Sequence, residues 1–201
     1  MNDDASAEQA MRLLTGLHDT DGSVVLSRAA VNDLAERAAS NPWCAAMALV
    51  NICDDVLPFF SVETIRILGK GIATNAEASA FVLSRLPPDI ARDCPPETLN
   101  AFGIAAAREA ESAAKTLVCA APEIWDALRA DVRYAIAVWT RFATNVVSHL
   151  VRECTEGMRN SDWDAIRARL NDVAPDALRA VEAMMTDAGD SSIPGSASPS
   201  A

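Results

Sequence analysis

Between Pro122 and Cys154 the chain runs without an internal glycine or proline, and its apolar residues recur at helical spacing. At about 100° per residue, Ile124, Leu128, Val132, Ala135, Trp139, Phe142, Val146 and Leu150 fall near one line. Trp125, Ile136, Ala143, Val147 and Val151 widen that line on one side. The pattern predicts one long helix over 122–155. A face so broad suits a helix packed by several neighbours, because a single partner needs only a narrow seam.

Elsewhere the pattern is cut into shorter pieces. Asn41-Pro42, Pro87-Pro88-Asp89, Cys94-Pro95-Pro96-Glu97, Ala121-Pro122-Glu123 and Ala174-Pro175-Asp176 each read as a helix start. Proline loses no hydrogen bond at that position, and an acid in the first turn suits the helix dipole. Ser161-Asp-Trp-Asp164 has the form of a capping box with Asp in place of Glu. These marks predict helices over 4–17, 27–39, 42–57, 62–72, 75–86, 88–93, 96–120, 122–155, 162–172 and 175–186. Gly69-Lys-Gly71 is expected to fray the fourth, and Asp19-Thr-Asp-Gly22 to separate the first two.

Val24-Val25-Leu26 could be extended, but one strand makes no sheet. The fold class read from the pattern is therefore all-α: a compact multi-helix bundle of nine or ten helices around the 122–155 helix. Short helices joined by tight turns are what α-solenoids use, yet no fixed repeat period emerges from the letters. A single helical domain over 4–186 is expected. The tail 187–201, rich in Ser, Pro, Gly and Ala, holds too little apolar surface to offset its ordering entropy and is expected to be disordered.

Composition narrows the function classes. The 201 residues carry 28 acidic and 17 basic side chains, a formal charge of −11. Lys70 and Lys115 are the only lysines, and no basic run exists. Binding to nucleic acid depends on neutralising phosphates, so neither nucleic acid nor an anionic membrane surface is expected as a partner. Five cysteines at 44, 53, 94, 119 and 154 are an odd number without C-x-x-C spacing, which argues against a disulfide framework or a zinc site. Reduced, cytoplasmic residence is the expectation. The start Met-Asn-Asp-Asp lacks a signal-peptide pattern, and no 18-residue apolar window offers a membrane span. The four tryptophans, at 43, 125, 139 and 163, are expected to fill core.

Two groups of residues could carry chemistry. Asn145, His149 and Glu153 share a helix face by i, i+4 spacing, and with Asp54 and Asp55 they could gather round a polar or metal site. The aspartate pair lacks the third acid that helical metal–diphosphate enzymes use, because Pro58 and Phe59 follow Asp55-Val-Leu. His149 could act as a base oriented by Glu153, but no nucleophile sits beside it. Gly69-Lys-Gly71 matches too little of a phosphate loop to count. Neither a metal nor a cofactor is expected.

The second group is a surface strip: Arg133, Tyr134, Arg141, Asn145 and Arg152 on the long helix, where Arg and Tyr combine area with directional hydrogen bonds. Phe59 and Phe60, two aromatics in a turn, are a further interface candidate. The leading expectation is a non-enzymatic cytoplasmic protein that binds another protein as adaptor, chaperone or inhibitor, with self-association possible. The alternative is a small helical enzyme or ligand-binding protein built on Asp54, Asp55, His149 and Glu153.

Overall fold

Side-chain caps fix where several helices begin. Ser27 accepts from the Ala30 N–H, Asn41 from Trp43 and Cys44, and Asn75 from Ala78. Ser61 and Thr64 form a reciprocal capping box. A computed structural model describes residues 3–16, 27–143, 145–147, 149, 160–173, 175–176, 178–179 and 182–183. The chain is all-α, with no strand among the described residues. In order the helices are α1 (Asp3–Leu14), α2 (Arg28–Ala38), α3 (Pro42–Val50), α4 (Val62–Ile72) and α5 (Ala76–Arg85). There follow α6 (Pro88–Asp93), α7 (Pro96–Ala106), α8 (Ala110–Cys119), α9 (Pro122–Ala127), α10 (Ala130–Thr140) and α11 (Asn160–Val173). Short 3-10 turns occupy Leu57–Phe59 and Arg141–Ala143. The extended piece at 24–26, the turn at 19–22 and the tail 187–201 lie outside the described residues.

The long 122–155 helix is not one rod. It breaks at Leu128 and Arg129, both extended, between α9 and α10. No glycine or proline marks the break. Asn100 on α7 makes it instead: its Oδ1 accepts the Arg129 N–H at 2.8 Å, so that amide needs no helical carbonyl. The predicted 96–120 helix is likewise two, α7 and α8, turned at Ala107-Arg108-Glu109. The predicted 42–57 helix ends at Val50. Among the described residues no long helix is left at the centre for the others to surround.

What replaces it is a tandem repeat. α2, α4, α7 and α10 are each eleven residues long and start at Arg28, Val62, Pro96 and Ala130, a constant spacing of 34. α3, α5 and α8 start at Pro42, Ala76 and Ala110, and α6 and α9 at Pro88 and Pro122, with the same spacing. The units are helical hairpins: α1 with α2, α3 with α4, α5 with α7, and α8 with α10. They stack so that α1, α3, α5 and α8 form one row and α2, α4, α7 and α10 the other. α11 packs on α8 and α10. This is α-solenoid architecture, with a fixed period that the residue letters conceal.

The repeat is written in side-chain size. One position of the second row holds Leu34, Leu68, Phe102 and Ile136, all buried; each contributes about 1.5–3 kcal/mol of transfer free energy. The next position holds Ala35, Gly69, Gly103 and Ala137, small residues that let adjacent helices close up. A Cβ on Gly69 would sit 2.6 Å from Thr98 Cγ2, and one on Gly103 would sit 2.4 Å from Val132 Cγ1. A Cβ on Gly71 would meet the Ala39 carbonyl oxygen at 2.4 Å. Gly69 and Gly71 thus admit neighbouring helices into α4, which runs unfrayed to Ile72. In the first row Leu49, Leu83 and Leu117 recur, buried, at the same spacing.

A third recurring position ties each hairpin to the next. Asn32 Oδ1 accepts from the Thr64 hydroxyl at 2.7 Å, Arg66 pairs with Glu97 at 3.1 Å, and Asn100 accepts the Arg129 amide. The fourth residue in this register is Tyr134.

Candidate functional site

α10 has three faces. Val132, Ile136 and Thr140 point into the core, whereas Ala130, Arg133, Tyr134, Ala137 and Val138, with Arg141 in the 3-10 turn just beyond, form a stripe along the adjacent side. That stripe, with α9 and α11, walls a groove of about 720 Å³. Of the surface strip read from the sequence, Arg133, Tyr134 and Arg141 are therefore brought together. Asn145 is exposed and is not part of the groove wall, and Arg152 lies outside the described residues.

The groove floor is anchored by Arg169 of α11, a buried cation the sequence reading missed. Its Nη1 donates to the carbonyls of Ala120 at 2.8 Å and Leu117 at 3.3 Å, at the C-terminal end of α8, where a positive charge suits the dipole. Its guanidinium lies 5.2 Å from the Trp125 ring centroid, a cation–π arrangement. Burial lowers the Arg169 pKa, opposed by Asp126 and Glu123. Arg133 comes within 3.9 Å of Asp126. Arg141 is exposed and has no ion-pair partner among the described residues. Asp126 and Asp172 complete the rim.

Beside the stripe, on the outer face, Trp139 is 44% exposed and Phe142 75%, their rings 5.9 Å apart; Tyr134 is 69% exposed. This corrects the expectation of a buried Trp139 and Phe142. The break at Leu128 resets the helical phase, so the straight line drawn from Ile124 no longer predicts which side of α10 faces the core. Trp125 is buried as expected, but Trp43 is 37% exposed; the Trp163 side chain lies outside the described residues. On the other row, Trp43 meets Phe81 at 5.5 Å, with Arg85 and Lys115 both over the Phe81 ring.

The remaining candidates are dispersed. Asp54 and Asp55 are exposed in the turn after α3, in the second hairpin. His149 is exposed beyond the fourth, and Glu153 lies outside the described residues. Among the described residues, no group of three His, Cys, Asp or Glu is placed to hold a metal ion. Phe59 and Phe60 are half-buried against the core. Among the described residues no helix is long and apolar enough to cross a membrane.

No family model, no curated protein and no solved structure matches this chain.

Proposed function

We propose that the chain is a non-enzymatic cytoplasmic protein that binds another protein, as an adaptor, chaperone or inhibitor, and that its targets are neither nucleic acid nor membrane. The observation that carries this reading is the exposed trio Tyr134, Trp139 and Phe142 at the last described hairpin of a stacked-hairpin body. Solenoids offer long continuous surfaces to partners. Exposed Trp and Tyr beside Arg is the composition of interface hot spots, where a few anchors carry most of the binding energy. Large apolar groups clustered in water mark such surfaces.

Affinity capture from the cells that express the protein tests it. Full-length chain and a Tyr134→Ser/Trp139→Ser/Phe142→Ser variant are compared by quantitative mass spectrometry, and the molar mass of each is measured in solution. Proteins retained by wild type and lost by the variant support the reading. A halved mass in the variant would make a second copy of this chain the partner. Identical retention by both, at one unchanged mass, would remove the trio from function.

A further inference from the structure

We propose that the groove between α10 and α11 binds an extended peptide segment of the partner that carries a carboxylate next to an apolar side chain. This rests on the protein-binding reading and names the chemistry of one of its sites.

The argument comes from comparing two consecutive grooves of the same repeat. Between the third and fourth hairpins, a groove of about 420 Å³ is lined by Leu86, Ala91, Leu99 and Ile124, a mostly apolar seam. Advancing 34 residues moves Ala91 to Trp125, Arg92 to Asp126 and Leu99 to Arg133, all three lining the larger groove. Val31, Ile65 and Leu99 hold one register position in the first three hairpins, each buried as an aliphatic. The fourth hairpin puts Arg133 there. The neighbouring position, which in three hairpins reaches across to the next, becomes Tyr134, 69% exposed and making no side-chain hydrogen bond among the described residues.

Two adjacent positions that elsewhere serve stacking have thus been given up together, and both side chains face the same groove. A chain that breaks its own stacking rule at two neighbouring sites carries a cost that calls for a compensating role. Arg133 keeps one contact, 3.9 Å to the exposed Asp126, and Arg141, which has no ion-pair partner among the described residues, adds a third side chain. Arg133 on α10 and Arg141 in the 3-10 turn that follows it line the same groove eight residues apart, which spaces two guanidinium groups along it. Planar guanidinium groups recognise carboxylates bidentately. The Trp125 ring, held by Arg169, and Ala137 supply the apolar floor. The whole chain carries −11, so its overall field disfavours an acidic peptide and attraction here depends on the local charge of these arginines.

A randomised octapeptide library displayed on phage is selected on the immobilised full-length chain, and enriched peptides are remade with a fluorescent label for anisotropy titration. Peptides pairing Asp or Glu with Leu, Ile, Phe or Met are expected to enrich. Arg133→Gln/Arg141→Gln should weaken them by about tenfold or more, with raised salt weakening them further. Arg85→Gln/Lys115→Gln, on the other row, should leave them unchanged. Circular dichroism and the melting temperature confirm that both variants fold. Enrichment of basic peptides, equal binding to the Arg133→Gln/Arg141→Gln variant, or no enrichment above that variant would each overturn the assignment. If the selection fails while a Trp139→Ser/Phe142→Ser variant, which leaves the groove lining intact, still loses its captured protein, the protein-binding reading stands and its partner docks outside the groove.

Discussion

Replacing Gly103 by alanine tests how the repeat is held together. On an exposed helix the change would stabilise by about 1 kcal/mol, because alanine is the better helix former. Here the added Cβ would lie 2.4 Å from Val132 Cγ1, 3.4 Å from Leu128 Cδ2 and 3.6 Å from Ile136 Cδ1. Val132 is buried and β-branched, with one preferred rotamer in a helix, so it has no inexpensive escape. Overpacking of this kind costs about 1–3 kcal/mol, and a 2.4 Å approach belongs at the upper end. After the propensity gain, Gly103→Ala is expected to destabilise by about 1–2 kcal/mol. Val132→Ala removes two buried methyl groups and should cost about 2 kcal/mol alone. In the double variant the new Cβ occupies space that valine has vacated, so the two losses should not add. The coupling is expected to be about 1.5–3 kcal/mol in the stabilising direction. Urea unfolding followed by far-ultraviolet circular dichroism measures all four corners of the cycle. Additive losses, or a stabilising Gly103→Ala, would refute close packing of α7 on α10.

Three further outcomes follow from single residues. Asn100→Ala removes the acceptor for the Arg129 amide and should cost about 1–3 kcal/mol, with hydrogen-exchange protection of that amide lost; Asn100→Asp, which keeps the acceptor, should restore the protection. Arg169→Ala strips the α8 carbonyls of Leu117 and Ala120 of their donor, and about 2–3 kcal/mol lost would lower the melting temperature by about 4–12 °C; an unchanged melting temperature would contradict the capping role. Burial, aided by Glu97, pushes the Cys94 thiol up to about 12, so iodoacetamide at pH 8 should leave it unlabelled in peptide mass spectra. The folded state holds that proton after the unfolded chain, near its ordinary 9.0, has lost it. Stability is therefore complete below pH 9 and declines towards pH 12, by at most about 1.4 kcal/mol per unit, and Cys94→Ala should flatten that decline.

Helix content and most helix starts were legible because they are local. Ser61, Asn75, Pro88 and Pro96 act through their own caps and backbone, and the expected bounds 62–72 and 88–93 agree with α4 and α6. The break at Leu128 was illegible because its cause, Asn100, is remote in sequence. The period stayed hidden for a related reason. Leu34, Leu68, Phe102 and Ile136 are four positions with three residue types, and what recurs is volume and burial rather than identity. Of the site, Arg133, Tyr134 and Arg141 could be read from helical spacing alone. Arg169 could not, since its partners are carbonyls on α8 that no sequence pattern announces.

The row-on-row stacking also determines how the molecule comes apart. Each hairpin leans chiefly on the ones before and after it, so opening can begin at an end and advance like a zipper, stalling wherever a junction is strongest. Deleting the 34 residues from Ala76 through Glu109 would bring Asn75 to the start of α8 and present α4 to α10, a seam of the same pitch. Such a shortened protein would still have a continuous spine, with a lower melting temperature and a shallower urea slope in proportion to the surface removed.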